Sequence, residues 1–67
     1  MKNKIREERL EKGMTQQALA EAIGVSRQTI FAIETGKYIP SAILVLKLSR
    51  ALAKPVESLF SLEKIDG

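Results

Sequence analysis

Apolar residues recur along the chain at helical spacing, and Gly13, Gly24, Gly36, Pro40 and Pro55 divide the pattern into five short segments that each read as a helix. The first spans about Asn3 to Lys12, with Ile5 and Arg9 an i,i+4 pair on one face, Leu10 pointing elsewhere and Gly13 placed to end it. The second starts at Thr15, whose hydroxyl suits a first-turn amide, and turns Leu19, Ala20 and Ile23 inward before Gly24. The third repeats this grammar with Ser26 as cap, Ile30 and Ile33 inward, and Gly36 just past the end, where a left-handed residue is favoured. Ser41 caps the fourth, which presents Leu44, Val45, Leu48 and Leu52 to the core. Pro55 sits at a first-turn position and opens a single turn, Val56 to Phe60, after which Ser-Leu-Glu-Lys-Ile alternates like a short edge strand. Two-turn helices are marginal alone, so packing around one centre must hold them.

Composition narrows what such a bundle can do. Sixty-seven residues make one small domain, expected to span 1–67, because chains of this size bury only ~60% of the surface exposed when unfolded. Support from a second copy is therefore a natural expectation. The sequence has no Cys and no His, which removes disulfides, thiol nucleophiles and imidazole bases, and a zinc site would need an all-carboxylate shell. No catalytic residue, metal, cofactor or small-molecule ligand is expected. The longest apolar run, Ala42 to Leu46, is too short for a membrane span or a signal-peptide core, so a cytoplasmic location is expected. Eleven Lys and Arg against eight Asp and Glu give +3, a balance that permits nucleic acid without requiring it.

Gln16 to Thr35 places small and apolar residues where two short helices crossing at ~90 to 120° need them. Ala20 allows close approach, Gly24 supplies positive φ in the turn, and Val25 fills the space beneath it. The run TQQALAEAIGVSRQTIFAIETGKYIPS, followed by an apolar helix and KPVESLF, closely resembles the Cro/CI-like (XRE-type) helix-turn-helix family of small bacterial, archaeal and phage transcriptional regulators. The resemblance extends from Ile5 to Phe60 and rests on the spaced signature Gln16, Ala20, Gly24, Ser26, Glu34 and Gly36. It implies an all-α, five-helix, lambda-repressor-like DNA-binding domain with the helix-turn-helix at 16–35. It also implies an internal ion pair between Arg9 and Glu34 that ties the first helix to the third.

At about 100° per residue, turning Ile30, Ile33 and Glu34 inward leaves Arg27, Gln28, Phe31, Ala32 and Thr35 outward. Arg suits the O6/N7 edge of guanine and Gln the N6/N7 edge of adenine. Arg27 and Gln28 lie at the N-terminal end of the third helix, the end that enters the major groove in the family. Arg27, Gln28, Phe31 and Ala32 are accordingly the candidate base readers, with Phe31 either meeting a thymine methyl or folding back on its neighbours. Gln16, Gln17, Ser26, Thr29, Thr35, Lys37 and Tyr38 are the candidate backbone contacts, which position the protein without reading sequence. Three residues depart from the family pattern: Phe31, where a smaller or polar residue is common, Glu8, where Leu or Ala is usual, and Ala53, where Gly often ends the fourth helix.

A second apolar stripe remains once the core is assigned, made of Ile43, Leu46, Ala53, Phe60, Leu62 and Ile65 in a region about 43–65. It reads as an isologous dimer patch that places two reading helices ~34 Å apart on a near-palindromic operator. In that arrangement the last strand pairs with its mate or with residues 1 to 5. The leading function is a homodimeric transcriptional regulator of double-stranded DNA, in the repressor mode. The alternative keeps the fold as a protein-interaction module, antitoxin-like or adaptor, that uses Phe31 and the C-terminal apolar surface. An enzyme would have to rest on Glu7, Glu8 and Glu11, a run better suited to a solvated helix face.

Overall fold

Hydroxyl caps open three of the five helices. The computed structural model describes Met1–Gly67 and runs β1 (Lys2–Asn3), α1 (Ile5–Glu11), α2 (Gln16–Ile23), α3 (Arg27–Glu34), α4 (Ala42–Leu52), α5 (Val56–Leu59), β2 (Phe60–Ser61) and a 3₁₀ turn, Lys64–Asp66. Thr15 Oγ1 accepts from the Ala18 N–H at 2.9 Å, Ser26 Oγ from Thr29 at 3.2 Å, and Ser41 Oγ from Leu44 at 3.3 Å. Each hydroxyl satisfies an amide that its helix leaves without a partner. At the other ends, Gly24 closes α2 at φ 76° and Ala53 closes α4 at φ 53°. Ala53 is the one non-glycine residue with positive φ, so the departure noted in the sequence does place a Cβ in the left-handed region.

The core is one cluster of ten apolar residues, Ile5, Leu19, Ala20, Ile23, Ile30, Ile33, Leu48, Leu52, Leu59 and Phe60, with Val25, Leu44 and Val45 packed around it. α2 is central, lying against both α3 and α4. The stripes expected for α2 and α3 are the buried ones, because 3.6-residue periodicity returns them to one side of short helices. No helix is long and apolar enough to cross a membrane.

Four local expectations are corrected. The first helix begins at Ile5 rather than Asn3, because Lys2 and Asn3 pair antiparallel with Ser61 and Phe60. That ribbon is the short strand anticipated at the end of the chain, but it covers Phe60–Ser61 only; Lys64–Asp66 turns instead. Of the two pairings foreseen for the strand, the structure forms the one with residues 1 to 5. Pro55 is the residue before the last helix rather than in its first turn. Phe60, assigned by the sequence to the leftover stripe, is 9% exposed and belongs to the core, since β2 carries it back under α5.

Glu8 is the least comfortable side chain. Its Oε1 is enclosed without a hydrogen-bond partner, and the Lys54 Nζ lies 3.8 Å away. Leu or Ala at this position would bring no such burden.

Candidate nucleic-acid interface

The α2–α3 connection needs only Gly24, Val25 and Ser26. With Gly24 in the left-handed region, the Val25 N–H reaches back to the Ala20 carbonyl at 3.0 Å, and Val25 is half-buried beneath the turn. A side chain at Gly24 would meet no neighbour, so the requirement there is conformational and not spatial.

α3 is anchored at its C-terminal end by a charged knot. Arg9 Nε donates to Glu34 Oε2 at 2.7 Å and Arg9 Nη2 to Glu34 Oε1 at 3.2 Å, a two-pronged pair whose side chains are 8% and 3% exposed. Arg9 Nη1 donates to the Met14 carbonyl at 2.8 Å, and Gln16 Nε2 to Glu34 Oε1 at 3.1 Å. The Arg9–Glu34 pairing is thus in place, and it recruits a residue assigned elsewhere. Gln16 turns a side-chain N–H inward, so any phosphate near the α2 start meets the backbone amides and the other end of Gln16.

A second anchor was not legible in the sequence. Asn3 Nδ2 donates to the Ile33 carbonyl at 2.9 Å, while Asn3 Oδ1 accepts from the Ile5 N–H at 3.1 Å. One amide therefore starts α1 and holds the end of α3. Asparagine near a chain terminus is too common for its pattern to have pointed to this.

The free face of α3 divides into two notches on either side of Gln28. One, about 280 Å³, is lined by Gln16, Arg27, Gln28 and Phe31. The other, about 480 Å³, is lined by Val25, Gln28, Thr29, Ala32, Tyr38 and Leu44. Arg27 and Gln28 are exposed, and Arg27 is in no intramolecular ion pair. Phe31 is 52% exposed and does not fold into the core. Ala32 is half-buried in the second notch and stands back from the surface.

Of the candidate backbone residues, Gln16 lines the first notch and Thr29 and Tyr38 the second. Gln17 is exposed and donates to Glu21 one turn on, at 3.0 Å. Ser26 Oγ and Thr29 Oγ1 lie 3.1 Å apart at the start of α3. Thr35 Oγ1 donates to the Phe31 carbonyl at 2.9 Å, back-bonding at the helix end. Lys37 and Tyr38 follow, exposed, with their amides drawn to the Ala32 carbonyl. The structure thus brings the candidates Arg27, Gln28, Phe31 and Ala32 together with Gln16, Thr29 and Tyr38 in the two notches, although Gln16, Thr29 and Ala32 are less free than their polar or small character implied.

Residues 5–59 match the family model described as Helix-turn-helix. The chain belongs to the helix-turn-helix family. This is a family of DNA-binding transcription regulators and not of enzymes. Among its helix-turn-helix relatives, a transcriptional regulator of Methanothermobacter thermautotrophicus is 50% identical, covering 100% of this chain and 97% of the relative. The regulator YgzD of Bacillus subtilis is 47% identical, over 96% of this chain and 97% of the relative. Among solved helix-turn-helix structures, the restriction-modification controller protein C.AhdI from Aeromonas hydrophila superposes with a TM-score of 0.78 at 36% identity, covering 84% of this chain and 85% of that one.

In this helix-turn-helix chain the apolar residues left over on α4 and the tail stand in solvent. Ile43 is 67% exposed, Leu46 64%, Leu62 72% and Ile65 90%, with Ala53 also exposed. The tail that carries Leu62 and Ile65 is tied down by charge. The Met1 ammonium lies 2.9 Å from Asp66 Oδ2 and 3.2 Å from Glu63 Oε1. Its hydrogen bond to Asp66, and then that to Glu63, hold the amine above its ordinary pKa of 8.0. The Glu63 backbone N–H, aided by the same amine, holds Asp66 below its ordinary 3.8.

Proposed function

We propose that this chain is a sequence-specific, homodimeric regulator that binds double-stranded DNA and represses transcription. One observation carries the reading: Arg27 and Gln28 stand exposed at the leading end of a helix whose other end is fixed by the buried Arg9–Glu34 pair. Fixed at that root, α3 enters the major groove as a rigid probe, with Arg27 on a guanine edge and Gln28 on an adenine edge. Gln17, Ser26, Thr29, Thr35, Lys37 and Tyr38 take the flanking phosphates and sugars, with the α2 amides beside Gln16. Residues 1–67 act as one domain, with the helix-turn-helix at 16–35.

Dimerisation follows from the apolar side chains left on the surface. An isologous contact through Ile43, Leu46, Ala53, Leu62 and Ile65, within region 43–65, buries side chains that a lone domain leaves in water. It also sets two α3 helices on half-sites ~34 Å apart. A dimer so bound represses by covering an operator that overlaps a promoter.

The test is selection of bound duplexes from a randomised DNA library at ~0.15 M salt, where screening suppresses indiscriminate attraction. An enriched inverted repeat with half-site centres ~10 bp apart is expected. A library returned without enrichment overturns the reading and moves the face to a protein partner. Analytical ultracentrifugation checks the dimer separately: Leu46→Asp should sediment as a folded monomer, and a monomeric wild-type protein would refute the interface.

A further inference from the structure

We infer that α3 reads a methyl-bearing pyrimidine followed by guanine, with Arg27 on the guanine and Phe31 against the C5 methyl; this rests on the DNA-binding reading above and names the step it recognises. A lone exposed apolar side chain is ordinary on a protein surface, and what carries the inference here is position. Arg27 and Phe31 are one turn apart on α3, so their side chains share a face about 6 Å apart along the axis. They line the same 280 Å³ notch, and Phe31 is half-exposed within it. The notch therefore presents a fork of N–H donors next to an aromatic surface.

Few features of the major groove match both halves at once. Guanine offers O6 and N7 to a bidentate arginine, and thymine offers a C5 methyl on the same groove edge. Where the pyrimidine directly precedes the guanine, both lie within the reach of neighbouring side chains on one helix turn. Cytosine lacks the methyl and 5-methylcytosine restores it, so the chemistry recognised is the methyl and not the base that carries it. Gln28, on the ridge beside the notch, remains free for the next base pair. Ala32, set back in the other notch, does not compete for the methyl.

The experiment is the same randomised selection run with two libraries, one made with thymidine and one with deoxyuridine. The enriched duplex is then synthesised with thymine, uracil, 5-methylcytosine or cytosine before the guanine that Arg27→Ala ceases to require, with the partner strand matched. Wild-type protein should bind the uracil duplex about three- to fivefold more weakly per half-site than the thymine duplex, the worth of one buried methyl. It should also prefer 5-methylcytosine to cytosine by a similar factor. Phe31→Ala should bind the members of each pair alike, and Phe31→Leu should keep part of the difference; circular dichroism confirms that both fold. Indifference of the wild type to the methyl, or a methyl effect that survives Phe31→Ala, overturns the inference while leaving sequence-specific binding intact. Failure to enrich any motif overturns both together.

Discussion

The two ends of α3 are built to opposite rules. At the buried end, Glu34 is held by Arg9 and Gln16, and Asn3 takes the neighbouring Ile33 carbonyl. At the free end, Arg27 and Gln28 are exposed and Arg27 has no ion-pair partner. A helix that reads DNA needs both conditions, because a probe discriminates only if its root cannot shift and its tip has no prior engagement. The difference teaches that polar residues near one another on a helix-turn-helix surface fall into two populations, those that fix the helix and those that use it.

Breaking the root should give the largest effect. Glu34→Ala leaves Arg9 buried without its partner, at an expected cost of ~3 to 5 kcal/mol in urea unfolding, a large share of what a domain this small possesses. Trimming the tip should spare stability and alter recognition. Arg27→Ala should cost ~1 to 3 kcal/mol at one base position and relax specificity there, whereas Lys37→Ala should weaken all duplexes alike and lessen the salt slope by ~1. Equal behaviour of the two variants in salt-dependent binding titrations would erase the division between readers and positioners.

Smaller effects lie outside α3 and sharpen the comparison through stability, read separately from binding. Ala53→Gly should stabilise by ~1 kcal/mol in the same unfolding assay, since it removes a Cβ from a left-handed residue at φ 53°. The clasp on the tail should respond to pH. The Met1 amine has its pKa raised in the folded chain, so its contribution is full below its unfolded value of 8.0 and is lost as pH rises through the folded value. Asp66, with its pKa lowered, contributes above its unfolded 3.8 and loses that contribution as pH falls through the folded value. Amide shifts at Glu63 and Asp66 should therefore be constant between about pH 5 and 8 and move outside that window.

Much of this was readable from residues in order. Thr15, Ser26 and Ser41 cap where their spacing placed them, and Gly24 takes the positive φ that the turn requires. Those features are local, set by a few neighbouring residues. Features that depend on distant partners were harder. The Arg9–Glu34 pair came from family likeness and not from spacing, and Asn3 gave no sign of reaching residue 33. Phe60 looked surplus because the α4 stripe already filled the core on paper, and only the ribbon with β1 shows that it turns inward. Gln16 was assigned to the DNA backbone from its place at the start of the second helix, without a view of the Glu34 carboxylate beside it.

The ribbon of β1 and β2 has a bearing on time. It pairs Lys2 with Ser61 and Asn3 with Phe60, joining segments almost a whole chain apart, and Lys4 adds a bond to the Leu59 carbonyl at 2.8 Å. By contrast, α2 and α3 meet across a three-residue turn. Closing the longest loop carries the largest entropic penalty, so the ribbon is expected to form late and open early, which amide hydrogen exchange at Lys4 and Ser61 would show. Because Asn3 lies in it, each opening also frees the Ile33 carbonyl, and the stiffness of α3 becomes a matter of how often the two ends of the chain part.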